Sequence, residues 1–199
     1  MTTELYFIYD SHCPWSYAST ALINSLEKAY PEMMIHLWHC AHYDGSDCAG
    51  HLQVEAAAKQ SKVKFGQEHI RFADSPKSSI ITANLMAWLQ SKQPEKALMV
   101  LNALQKAHFV EGNPLGCKHD FNHIIEEFKL SPPNKVFKTE LSDAAQYTLS
   151  DITEIRDVIG TAAFPALLLV VGNDAQLLNH ALYLGKPDTI INALKQALK

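Results

Sequence analysis

Basic residues are few in this chain. Its 17 Lys and Arg are outnumbered by 21 Asp and Glu, giving a formal net charge of −4. No basic run interleaves with aromatic residues, so the electrostatic footprint of a nucleic-acid-binding surface is missing. The same mild charge gives no reason to expect an acidic membrane surface as partner. Long apolar runs are missing too: none approaches the ~20 residues of a membrane-spanning helix. The short run near the start is too brief for the core of a secretion signal and follows no basic segment. A chain that opens on Met1 without such a segment is expected to carry no leader and to be cytoplasmic, with neither nucleic acid nor membrane as partner. Cysteine is sparse. The spacings of Cys13, Cys40, Cys48 and Cys117 (27, 8 and 69 residues) match no familiar zinc pattern. A reducing cytosol disfavours structural disulfides between them. No internal repeat or low-complexity segment is present.

What is present is a strong alternation of element types. The chain has 199 residues, 47% of them apolar, enough for a core that needs no staples. Leu5-Tyr6-Phe7-Ile8-Tyr9 reads as a buried strand, and Ala18, Leu22 and Leu26 place a helix over 13–30, ending near Pro31. Met33 to His39 reads as a second strand, and a strand–helix–strand opening favours a parallel pair. Residues 40–50 form a polar loop. From 51 to about 160, apolar residues recur at helical spacing in successive stripes, such as Ile81/Leu85/Leu89 and Leu98/Leu101/Leu104. Two further helices are expected around Ala144–Leu149 and Ile152–Ile159. Strand character returns at Pro165 to Val171, turns at Gly172-Asn173-Asp174, and comes back over Gln176–Tyr183. Pro187-Asp188 opens a terminal helix. The order is βαβ, helical insert, ββα, an α/β chain with 1–50 and 160–199 forming one discontinuous domain and 51–159 a helical insertion.

Chemistry concentrates at the first strand-to-helix junction, Asp10-Ser11-His12-Cys13-Pro14-Trp15-Ser16-Tyr17. The first turn of a helix has unpaired N–H groups and a partial positive charge. A thiol placed there is expected to move toward thiolate, with pKa values of roughly 3.5–7.5 in such settings. Pro14 fits the first turn, where its missing N–H has no partner to lose. Cys13 is therefore the candidate nucleophile. Ser16, three residues on, lies within reach to donate its hydroxyl to the Cys13 sulfur, and a protonated His12 would add positive charge. Trp15, Tyr17, Trp38 and Tyr43 are candidates to flank the thiol. His36, His39, Cys40, His42, Cys48 and His51 carry metal-ligating atoms, but their dense spacing fits no common site. They are expected to line the mouth of the active site, with no metal.

The order of elements and these residues resemble the DsbA-like thioredoxin-fold family, especially its FrnE-type branch, which typically shows Cys-Pro-Trp-Cys-Tyr. Gly160-Thr161-Ala162-Ala163-Phe164-Pro165 resembles that family's cis-proline loop. His108-Phe109-Val110-Glu111-Gly112 is similar to a stretch of its helical insert, and Leu184-Gly185-Lys186-Pro187 to its closing segment. The resemblance implies a thioredoxin-like core with an all-helical insertion, and a thiol–disulfide oxidoreductase or isomerase. It implies that Cys13, Ser16 and His12 form the catalytic set and that Pro14, Trp15, Phe164 and Pro165 bind substrate. A cis Pro165 would present the Phe164 backbone to an extended thiol peptide or to glutathione. The partners implied are protein or small-molecule thiols and disulfides, with no tightly bound cofactor, glutathione as a co-substrate, and a homodimer left open.

One departure matters. The family's second active-site cysteine is Ser16 here, so the motif itself cannot store a disulfide. A single-thiol route through mixed disulfides is the expectation. The fold and insert also resemble glutathione transferase kappa and 2-hydroxychromene-2-carboxylate isomerase, which carry serine where Cys13 stands. A glutathione-dependent transferase or isomerase is the second reading, and a non-catalytic thiol or partner-binding module the third. Pairing of Cys13 with Cys40 or Cys48 stays open, and Cys117 is expected to cap or pack in the helical block.

Overall fold

The computed structural model describes residues 3–198. Strand β1 (Thr3–Tyr9) is rich in aromatic and branched side chains, which suit a pleated, half-buried surface. Helix α1 (Pro14–Ala29) starts on the proline and buries Ala18, Leu22, Ile23 and Leu26 along one face. It carries the chain back to β2 (Met34–His39), which pairs parallel to β1 from Glu4↔Met34 to Tyr9↔His39. Six helices follow: α2 (Gly50–Gln60), α3 (Gln67–Arg71), α4 (Ile80–Lys92), α5 (Pro94–Phe109), α6 (Asn122–Glu127) and α7 (Asp143–Ile159). Strand β3 (Ala166–Val171) then lies antiparallel to β1, and a two-residue turn leads to β4 (Asp174–Leu178). Helix α8 (Ile190–Ala197) closes the chain. The sheet order is β2-β1-β3-β4, as the α/β, thioredoxin-like reading requires.

Alternate β1 residues face opposite sides of the sheet. Leu5, Phe7 and Tyr9 join Leu22 and Leu26 of α1, Leu85 and Met86 of α4, Leu101 of α5 and Leu194 of α8 in one continuous core. Each such fully buried side chain contributes roughly 1.5–3 kcal/mol. Ile8 points the other way, into a smaller cluster with Cys40, Ala166 and Ile152 of α7. The continuous core therefore runs from the sheet into the helical segment.

Two element readings need correction. The helices expected over Ala144–Leu149 and Ile152–Ile159 are one, α7. It is capped by the Ser142 hydroxyl, which accepts the Ala145 N–H. Its fully buried positions are only Ala145 and Ile152, a stripe so thin that the periodicity looked interrupted. The returning strand ends at Leu178 and not Tyr183, and His180–Tyr183 form a short 3-10 turn. Four of the five β4 residues are exposed, so no burial pattern sustains a longer edge strand.

Candidate active site

Cys13 is the N-cap residue of α1, with extended backbone (φ −88°, ψ 122°). Its N–H donates to the Asp10 carbonyl at 3.1 Å and its carbonyl accepts the Tyr17 N–H at 3.0 Å. The N–H groups of Ser16 and Trp15 and the Ser16 hydroxyl lie near enough to favour the sulfur anion, although the Cys13 side chain makes no capping hydrogen bond. Ser16 Oγ also accepts the Asp10 N–H at 3.2 Å, tying the end of β1 to the first turn of the helix. Ser16 is in place near the sulfur.

The expected thiolate is not. Cys13 is only 5% exposed. Burial pushes its thiol up to about 11, and the nearby Asp10 carboxylate acts in the same direction, against the lowering effect of the Ser16 and Trp15 donors. Loss of hydration outweighs the helix terminus in the resting protein. His12 does not supply the expected positive charge either. It is 3% exposed, and burial lowers its pKa despite the neighbouring Asp10 carboxylate.

Asp10 organises the surroundings. It is fully buried, and its Oδ1 accepts the His12 N–H at 2.8 Å. Its Oδ2 accepts the His42 N–H (2.7 Å), the Tyr43 N–H (3.4 Å) and the Ser79 hydroxyl (2.7 Å). Burial alone would raise its pKa, but His39, His12 and these hydrogen bonds hold it below the usual carboxylate value. Both rings are themselves neutral at pH 7, with His39 lowered to about 4 by burial. At neutral pH the hydrogen bonds therefore carry the carboxylate.

The Pro114 carbonyl lies 3.2 Å from His12 Nε2 and can only accept, so that nitrogen carries the proton. His12 Nδ1 then accepts the Ser11 hydroxyl (2.9 Å), whose oxygen lies 2.8 Å from His39 Nε2, the nitrogen that also faces the Ser11 N–H at 3.0 Å. His39 Nδ1 takes the Ala41 N–H at 3.0 Å. This chain joins β2, the active-site loop and the helical segment. The His12 ring packs on His108 with centroids 4.1 Å apart, and Tyr17 stacks on Phe109 at 4.8 Å. The His108–Gly112 stretch is thus the floor under the active-site loop.

The thiol opens on a pocket of about 220 Å³ lined by Cys13, Pro14, Trp15, His42, Tyr43, Asp47, Cys48, Ala49, Gln53 and Phe164. Trp15 donates its indole N–H to Gln53 Oε1, and the His42 ring packs on Phe164 at 4.7 Å. The Phe164–Pro165 peptide bond is cis. Phe164 shares the Cys13 pocket, whereas Pro165 is buried behind it and lines a neighbouring cavity of about 310 Å³ with Thr161 and Ala163. Tyr17 and Trp38, expected at the thiol, do not line the pocket. Tyr17 is held by Phe65 and Phe109, and Trp38 packs in the Ile8 cluster. His42 and Cys48 do line the mouth, but His36 lies on β2 paired with Glu4 at 2.8 Å. Cys40 is buried beside Ile8 and its thiol is pushed far up by burial. Cys117 is exposed at the start of a 3-10 turn, capping it and packing nowhere. Among the described residues no group of three or more His, Cys, Asp or Glu is placed to hold a metal ion. A larger apolar groove of about 590 Å³, lined by Tyr30, Met33 and Leu198 among others, lies at the opposite end of the sheet and holds no cysteine.

Asp10, Ser11 and Ser79 were not among the sequence-derived site residues, and His39 was expected only at the mouth. An acid closing an apolar strand and followed at once by polar residues was the available signal for Asp10. Nothing in the sequence pointed to Ser79.

Searches with protein-family models and among curated proteins find no match. Solved structures do match. The cytosolic disulfide reductase DsbM from Pseudomonas aeruginosa superposes with a TM-score of 0.82 at 20% identity over 98% of both chains. The same reductase solved with GSH gives 0.81 at 19% identity, again over 98% of both chains. A candidate protein disulfide isomerase from Nitrosomonas europaea gives 0.74 at 16% identity, over 98% of this chain and 99% of that one. A 2-hydroxychromene-2-carboxylate isomerase gives 0.57 at 13% identity, over 98% and 94%. The fold is the DsbA-type thioredoxin fold. No helix among the described residues is long and apolar enough to cross a membrane.

Proposed function

We propose that this protein is a thiol–disulfide oxidoreductase that works through Cys13 alone at the first step. The observation that carries the reading is the sulfur itself. It sits at the N-cap of α1, with Ser16 near it, in a pocket shared with Trp15 and Phe164. The Cys13 thiolate attacks one sulfur of a substrate disulfide. The new bond forms to Cys13, the substrate S–S bond breaks, and the departing thiolate takes up a proton. The resting thiol is protonated, so deprotonation accompanies substrate entry, and the Ser16 hydroxyl and N–H stabilise the sulfur anion as it forms. Trp15, Pro14 and Phe164 hold the substrate, with Pro165 behind Phe164. His12 acts by holding the loop.

The DsbM structure with GSH supports glutathione as co-substrate. Free thiols and the likeness to a reductase described as cytosolic support a cytoplasmic setting. In this reading residues 1–50 and 160–199 carry the nucleophile, and the 51–159 insertion walls the pocket through Gln53. The test is reduction of insulin disulfides with glutathione as electron source. Cys13→Ala is expected to fall to the rate of glutathione alone, and undiminished turnover would end the proposal. Likeness to the 2-hydroxychromene-2-carboxylate isomerase sustains the transferase or isomerase alternative. That alternative requires reduced glutathione to protect Cys13 from alkylation without forming an adduct.

A further inference from the structure

A mixed disulfide on Cys13 needs a second thiol to release it, and Ser16 cannot serve. Of the three other cysteines, Cys40 is enclosed by Ile8, Ile152 and Ala166, and Cys117 is exposed on the helical segment away from the pocket. Cys48 is different. It is partly exposed and lines the same pocket as Cys13. We propose that Cys48 is the resolving cysteine of this site, replacing the one that Ser16 removed from the motif.

The surroundings of Cys48 support this role. It lies in the irregular stretch between β2 and α2, bracketed by Gly45 (φ +103°) and Gly50 (φ +76°), backbone conformations that side chains resist. The stretch is held by the Asp44–Ser78 bridge and by the Lys77 N–H on the Asp47 carbonyl (3.0 Å). Cys48 stands on the wall of the Cys13 pocket, on a stretch turned at each end by a glycine, and closing the disulfide requires Cα atoms about 4.4–6.8 Å apart.

The chemistry rests on the Cys13 reading above and balances as follows. After Cys13 has formed a mixed disulfide with substrate, the Cys48 thiolate attacks the Cys13 sulfur. The Cys13–Cys48 bond forms, the bond from Cys13 to substrate breaks, and the substrate leaves as a thiolate that takes a proton. The substrate disulfide has gained two electrons and the protein dithiol has lost two. Two small thiols of the glutathione class then reduce the Cys13–Cys48 disulfide and are themselves joined as one disulfide.

The experiment exposes the protein to glutathione disulfide, quenches with acid, and maps peptides by mass spectrometry. The wild type is expected to give a Cys13–Cys48 linked peptide and only a transient glutathione adduct. Cys48→Ser is expected to accumulate the adduct on Cys13 with a lifetime at least about tenfold longer, whereas Cys40→Ser and Cys117→Ser behave as wild type. Equal adduct lifetimes in wild type and Cys48→Ser, with no linked peptide, would overturn the resolving role while leaving the Cys13 nucleophile standing. An unmodified Cys13 in every variant would overturn both.

Discussion

The Cys13 thiol and the Asp10 carboxylate oppose each other within one loop. Asp10 collects a hydroxyl and three N–H donors, and in doing so places a negative charge beside a sulfur that must become negative. Asp10→Asn separates the two effects. Removing the charge should lower the midpoint of Cys13 alkylation by roughly one pH unit, read with iodoacetamide in a background where the other cysteines are serine. The same change should cost about 2–3 kcal/mol of stability, because the amide NH₂ faces N–H donors that a carboxylate satisfied. An unchanged alkylation profile would show that Asp10 does not act on the sulfur through its charge. In the unsubstituted protein, alkylation should be slow at neutral pH, with a midpoint near 11. A midpoint below 8 would show that the helix terminus outweighs burial after all. For Ser16→Ala, which removes one donor to the sulfur anion, disulfide turnover should fall about tenfold, as expected for the loss of one hydrogen bond to a charged group.

The part of the helical segment that supports the active-site loop is packed, backbone against backbone, too tightly for a side chain. The Gly66 N–H donates to the Phe109 carbonyl at 2.8 Å, and a Cβ added at Gly66 would lie 1.8 Å from the Val110 carbonyl oxygen. Gly66→Ala must therefore push α3 away from the end of α5, where His108 and Phe109 support His12 and Tyr17. A loss of about 1–3 kcal/mol in urea titration is expected, together with faster alkylation of Cys13 as its cover loosens. A variant as stable as wild type would show that the linker yields freely. Elements of this kind explain what was legible in the sequence. β1, α1 and β2 were plain because alternation and a four-residue stripe each have a single solution there. The Cys-Pro junction was plain because proline tolerates few positions in a helix. α7 was divided because a surface helix buries too little to mark its period, and β4 was overrun because an edge strand has no inner face to end. The Asp10–Ser79 bond spans 69 residues and leaves no local pattern, so that part of the site was invisible.

Whole-molecule stability should depend on acid in a definite direction. His39 is buried and neutral, with a pKa lowered to about 4, whereas the unfolded chain takes up that proton near 6.5. The unfolded state binds protons first, so the His39 contribution is complete above about pH 6.5 and fades as pH falls toward 4. By pH 5 the loss from this residue alone is about 2 kcal/mol. His12, His69 and His108, whose pKa values burial also lowers, add to it with the same sign. Urea midpoints at pH 7 and pH 5 measure the effect, and a midpoint that does not fall between them would contradict the buried, neutral assignment.

The continuity of the core from Leu5 through Met86 and Leu101 to Leu194 has a consequence for inheritance. A block that shares its interior with the sheet is not free cargo between two strands. Excising 51–159 and rejoining the ends would strip the inner faces of β1 and α1 of their apolar neighbours at one stroke. Changes to the buried residues of this segment must be absorbed by repacking against β1 and α1, the two elements that flank the loop carrying the thiol.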